Sequence, residues 1–324
     1  MGESMRPRNF ALGCCLLAAV ASQAHAQNFP ARPIRVVVPV PPGGIIDVVG
    51  RLLCQKITEQ TGQTAIVDNR TGGLTNVGSE IVARSPGDGY TLLLQSLPMV
   101  INPAMLGKMP YDYAKDLAPI SLVVTSPYLL VVHPSVPAKS IKELIAVAKA
   151  RPGSITYSSS GNASNLHVAV ELFASLAGVK MLHIPYKGGG PALTAVLGGE
   201  ADLSALAVSA VMSHVNAGRM RALAITSPAR RPALPQIPAV AETVAGFDFA
   251  SWVGVLAPAS TPAALVATIN GIVVKAVRAP DLVERFTNDA TDVVANSPTE
   301  FRAFMQSEAM RWAKVVKDSG MRAD

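Results

Sequence analysis

Three short segments bring together residue types that suit anion binding. Pro41-Pro42-Gly43-Gly44-Ile45-Ile46-Asp47 follows the apolar β-forming run Ile34–Val38. Ser159-Ser160-Gly161-Asn162-Ala163-Ser164 follows a short run at 155–158, and Tyr186-Lys187-Gly188-Gly189-Gly190-Pro191 follows another at 181–184. Each reads as a strand turning through glycines into a helix. Such a turn leaves first-turn N–H groups without partners, and the helix dipole behind them favours negative charge. Glycines let a ligand approach the backbone closely. Ser159, Ser160 and Ser164 add hydroxyl donors, and Lys187 is placed to pair with a second ligand carboxylate. Ser96, at the carboxyl end of a further strand at 90–95, joins the candidate set. Plainer readings stand beside these. The turns are ordinary βα connections, Ser164 and Asp47 cap helices, Lys187 is solvated, and Tyr186 packs at a hinge instead of stacking on a ligand.

Catalytic chemistry has little support. There is no G-x-S-x-G elbow. His167 lies three residues after Ser164, which invites a Ser–His reading. His133, His183 and His214 are scattered, without metal-ligand spacing. No G-K-[ST] follows the glycines at 188–190, and acidic pairs are sparse near the loops, so neither a cofactor nor a metal is expected. The net charge of +6 and pI near 9.3 raise nucleic acid as a partner, but aromatic residues are only 5% and Lys/Arg blocks are missing, which argues against it.

Positioning these segments requires a particular frame. Residues 1–26 read as a cleaved signal peptide: Arg6 and Arg8, an apolar run at 10–21, then Ala24-His25-Ala26. This implies an exported, periplasmic chain. Cys14, after Leu12-Gly13, faintly resembles a lipoprotein signal, with too little apolar sequence before it. Cys54 then remains alone on the apolar face of the first helix, as a structural thiol. A β-α-β-α-β order over 34–95 implies a parallel sheet with right-handed crossovers. Strands at 120–124 and 128–133 flank Ser126-Pro127, where the chain passes to a second lobe. A strand at 252–257 returns it after a proline-rich stretch at 228–250, and helices follow at 262–278, 280–289 and 298–318. The expected organisation is 27–126 in lobe 1, 127–250 in lobe 2 and 251–324 back in lobe 1. Two crossings make a hinge with a cleft.

The ordered set PPGG-x-x-D, NR-x-GG-x-x-NVG, PGDGYTLL, INPA, YSSSGNAS, HIPYKGGGPAL, GRMRALAITS and RWAKVVK resembles the Bug-family extracytoplasmic solute receptors of tripartite tricarboxylate transporters. The resemblance covers essentially the whole mature chain. It implies an α/β, two-lobed periplasmic-binding-protein (Venus flytrap) fold with two crossover strands as hinge. It implies no enzyme activity and a monomer that hands a small carboxylate to a two-component membrane permease. A sensor signalling to a membrane kinase is the alternative. In the family, loop amides and ordered waters hold the ligand. By that resemblance Pro41, Pro42, Gly43, Gly44 and Asp47 match the first-lobe loop. Ser159, Ser160, Gly161, Asn162 and Ser164 match one second-lobe loop, and Tyr186, Lys187, Gly188 and Gly189 the other. Ile45 and Ile46 stand where the family has glycine and a hydroxyl, Leu74 and Thr75 add bulk after Gly73, and residues 203–207 lack the usual Phe or Asn. These departures lead us to expect a monocarboxylate, or a carboxylate with an apolar or aromatic body. The plainer alternative buries Ile45 and Ile46 in the lobe core.

Overall fold

The computed structural model describes residues 29–319, so the expected signal segment lies outside the described residues. Two mixed sheets form two lobes. The first has strand order β11-β4-β10-β3-β1-β2, with β1 at Ile34–Val38, β2 at Ala65–Asn69, β3 at Thr91–Gln95, β4 at Leu117–Ser126, β10 at Ser251–Pro258 and β11 at Asp292–Val293. The second has the order β7-β6-β8-β5-β9, with β5 at Tyr128–Val132, β6 at Thr156–Ser159, β7 at Leu182–Pro185, β8 at Leu203–Ala207 and β9 at Arg221–Ile225.

The predicted parallel unit is present: β1 pairs in parallel with β2 and with β3. The apolar run of β1 is buried because helices cover the sheet. One of them, α1 (Ile45–Thr61), sits so close that a methyl group at Gly50 would meet Leu94 Cδ1 at 2.8 Å. Crossing strands β4 and β10 pair antiparallel to each other along their length. Only Pro127 separates β4 from β5, so the chain changes sheet within one residue. It returns through residues 226–250, where the Phe249 N–H donates to Thr226 O (3.0 Å), and Tyr128 and Thr226 exchange hydrogen bonds of 2.7 and 2.9 Å. These strands form the hinge.

Three local features go beyond the sequence reading. Residues 96–102, after β3, are mostly helical, within α3 (Pro98–Leu106). Proline at the first helical position needs no N–H acceptor, and burial of Met99, Val100 and Ile101 drives the turn inward. The first helix begins at Ile45 with Gly44 at its N-cap, so Asp47 is the third helical residue rather than the cap. Strand β11 was not anticipated, being only a two-residue edge against β4. The remaining helices are α2 (Asn76–Ala83), α4 (Tyr113–Asp116), α5 (Ile141–Ala150), α6 (Asn165–Ala177), α7 (Gly189–Leu197), α8 (Val208–Asn216), α9 (Ala263–Val277), α10 (Pro280–Asn288) and α11 (Pro298–Ser319).

Candidate ligand-binding site

A cavity of about 380 Å³ lies between the lobes. The first lobe contributes Pro39, Val40, Pro41, Gly44, Ile45 and Ile46 from the β1–α1 turn, and Thr71, Gly72, Leu74, Thr75 and Pro98 from the turns before α2 and α3. The second lobe contributes residues 160–166 from the β6–α6 turn, Tyr186 to Gly189 from the β7–α7 turn, and Tyr128 from the hinge. Helices α1, α6 and α7 therefore all start on the cavity. Their first-turn N–H groups have no acceptor within the helix. Lys187 is the one charged side chain in the lining, and it is exposed.

The lobes touch across this space. Methyl groups placed on Gly188 and Gly189 would meet Pro41 Cβ at 3.4 Å and Gly44 Cα at 3.9 Å. At the inner end, the Asn165 Nδ2 group donates to Ser96 Oγ and to Ser251 Oγ, each at 2.9 Å. Asn165 opens α6 in the second lobe, whereas Ser96 directly follows β3 and Ser251 begins β10 in the first. All are buried. Tyr128 adjoins this group: burial pushes its phenol up to about 12, against the opposing effect of Ser251 and Asn165.

The β1–α1 turn is braced from behind. Asp47 is 2% exposed and accepts from Gly43 N–H (3.0 Å), from Asn69 Nδ2 (3.0 Å) and from Arg51 at both oxygens (2.9 and 3.0 Å). Burial pushes its carboxyl up, but these hydrogen bonds outweigh it and hold it below the ordinary carboxylate value. Asn69 Nδ2 also reaches Val40 O at 2.9 Å, which fixes the loop to β2.

The β6–α6 turn rests on a histidine pair. His167 and His183 stack with centroids 4.1 Å apart, and Tyr157 stacks on His183 at 4.8 Å. His167 Nδ1 accepts from Ala163 N–H (3.1 Å), and His183 Nε2 meets Ser159 Oγ at 2.6 Å. Burial, then the neighbouring His183, pulls His167 down to about 3; burial pulls His183 down to about 4. Both rings are neutral supports. Ala163 adopts φ +55°, held by that bond to His167. The Ser164 Oγ caps α6 through His167 N–H at 3.4 Å.

Of the residues singled out by sequence, Gly44, Ile45, Ile46, Ser160, Gly161, Asn162, Ser164, Tyr186, Lys187, Gly188 and Gly189 meet around the cavity. Five do not. Pro42 and Gly43 are exposed on the outer side of their turn, and Asp47 is enclosed by Arg51 and Asn69. Ser159 is fully buried beneath its loop, between Gly161 and His183. Ser96 is fully buried and occupied with Asn165. The histidines judged scattered are partly paired, since β7 carries His183 onto His167. Ile45 and Ile46 belong to both alternatives weighed above: each lines the cavity, while Ile46, 3% exposed, also joins the lobe core.

The lining residues outside the candidate set are chiefly Thr71, Gly72, Leu74 and Thr75, the last two noted above only as bulk, with Tyr128, Asn165 and Leu166. Gly72-Gly73 ahead of α2 repeats the glycine signal of the other turns and would have found the first four. Nothing local marks Tyr128.

The sequence pattern described as "tripartite tricarboxylate transporter family receptor" matches residues 49–321. The chain belongs to this receptor family. Relatives agree over nearly their full lengths. Protein BugT of Bordetella pertussis is 36% identical over 306 residues, 94% of each chain. Among solved structures, Rpa4515 of R. palustris with adipate superposes with TM-score 0.87 at 32% identity, covering 91% of this chain and 99% of that one. MatC of Rhodopseudomonas palustris with bound malate gives TM-score 0.83 at 28% identity, covering 89% and 100%. The chain is therefore a binding receptor rather than an enzyme.

Proposed function

We propose that this receptor captures a small carboxylate in the inter-lobe cavity, through loop N–H groups and hydroxyls, and delivers it to a two-component membrane permease from the periplasm. The observation that carries the reading is the convergence of α1, α6 and α7, from both lobes, on one cavity with a single charged side chain in its lining. Partial positive charge at three helix starts suits one anion and needs no buried cation. The carboxylates named in Rpa4515 and MatC support the ligand class. Donors arriving from two lobes reach one carboxylate together only when the cleft is closed. Ligand therefore shifts the population towards the closed form, and the permease would read that form. Residues 1–26 would direct export.

The test is thermal unfolding of residues 27–324, refolded from denaturant to remove carried ligand, against carboxylates and their neutral amides. A carboxylate at a hundred times its Kd stabilises by about 2.7 kcal/mol, roughly 5 °C at this chain length. Only the carboxylates are expected to shift the midpoint, without being consumed. Equal shifts from the amides, or turnover of the ligand, would overturn the proposal.

A further inference from the structure

The two walls of the cavity differ in kind. The second-lobe wall carries the polar side chains of Ser160, Asn162 and Ser164 and the cation of Lys187. On the first-lobe wall, aside from the α1 N–H groups, only Thr71 and Thr75 have polar side chains, and the Thr75 hydroxyl is oriented by accepting from Gln95 Nε2 at 3.0 Å, with its O–H left to donate. The rest is Val40, Ile45, Ile46, Leu74 and prolines.

Leu74 is held there against its backbone preference. It adopts φ +55° and Thr75 φ +76°, a region that L side chains rarely enter. Asn102, itself fully buried, donates from Nδ2 to Leu74 O at 2.7 Å, and the Gln95 bond fixes Thr75. Strain maintained at a ligand cavity points to a use for it.

From this asymmetry we infer that the receptor selects an amphipathic monocarboxylate: one ionised head towards the helix starts and the second-lobe wall, and an apolar body against Leu74, Ile45 and Val40. This rests on the carboxylate reading above. A second ionised carboxylate facing the first-lobe wall would exchange its water for the Thr71 and Thr75 hydroxyls at most, once the α1 N–H groups hold the head. At the density of water, about 30 Å³ per molecule, the cavity holds about a dozen non-hydrogen atoms, which suits a six- to nine-carbon acid.

Titration calorimetry with hexanoate, adipate, malate and hexanamide tests this. Hexanoate is expected to bind at least tenfold more tightly than adipate or malate, and hexanamide at least tenfold more weakly than hexanoate. Leu74→Gly accommodates the positive φ and is expected to fold, to weaken hexanoate about tenfold and to leave malate within twofold. Leu74→Asn, which also tolerates that region, is the second variant and is expected to behave alike. If adipate or malate equals hexanoate, the apolar wall is not selective, and the carboxylate reading survives. If hexanamide equals hexanoate, both fail. Equal weakening of all ligands in both variants, or no binding by any probe, also overturns the inference.

Discussion

Replacing Asn165 by alanine tests whether the lobes are latched at the inner end of the cavity. Its Nδ2 group makes two hydrogen bonds of 2.9 Å to Ser96 and Ser251, both in the other lobe and both fully buried. Separating α6 from the ends of β3 and β10 breaks both bonds, so they count towards the closed form alone. Two neutral hydrogen bonds at about 1 kcal/mol each amount to about 2 kcal/mol, or about 30-fold in the closing equilibrium. Asn165→Ala is therefore expected to weaken carboxylate binding about 30-fold in calorimetry. The ligand-free unfolding midpoint should hardly move, since an open chain has already exposed these groups. Ser96→Ala removes one bond and should cost about fivefold. Combined with Asn165→Ala it should add nothing further, because that bond is already gone. Unchanged affinity in Asn165→Ala, or a ligand-free midpoint that falls as far as the liganded one, would refute the latch.

Gly188 has φ +114° and stands 3.4 Å, by a would-be methyl, from Pro41 of the opposite lobe. Gly188→Ala is expected to lower stability by about 1–3 kcal/mol in urea unfolding and to weaken binding at least tenfold, through strain and obstructed closure. His183 titrates near 4 when folded against about 6.5 when unfolded, so between those values only the unfolded chain takes up a proton. The His183 contribution is complete above about pH 6.5 and is lost as pH drops towards 4, at no more than about 1.4 kcal/mol per pH unit and less after solvent screening. His167 adds a loss of the same sign. His183→Gln should lose that part of the slope when urea midpoints are compared at pH 7, 6 and 5; parallel profiles would contradict it. A methyl group on Gly254 would lie 2.1 Å from Phe301 Cζ, so Gly254→Ala is expected to destabilise by about 3 kcal/mol and to leave the affinity of the folded fraction unchanged.

Periodicity and punctuation made most of the frame legible. The apolar run at 34–38 and the Gly-Gly turns made the parallel unit and its loops legible, and Ser126-Pro127 marks where the chain changes sheet. Composition could not separate the front of a turn from its back. Gly43, Asp47 and Ser159 carry the right chemistry, yet Gly43 donates to Asp47, Asp47 faces Arg51 one turn along its own helix and Asn69 from β2, and Ser159 faces His183 from β7. The same holds for Ser96, whose partner Asn165 is 69 residues away. Tyr128 was invisible as a lining residue because its place depends on the hinge. Leu74 and Thr75 were noticed only as bulk; their positive φ angles, which give that bulk a direction, are a property of the fold.

The central claim is that backbone N–H groups at helix starts hold the carboxylate. Amide resonances of a deuterated, ¹⁵N-labelled sample, titrated with the carboxylate giving the largest thermal shift, address it most directly. The account predicts the largest downfield proton shifts at Ile45, Ile46, Leu166 and Gly189, and none of that size with the neutral amide analogue. If those four stay in place while other resonances move, the anion is held elsewhere and the account is contradicted.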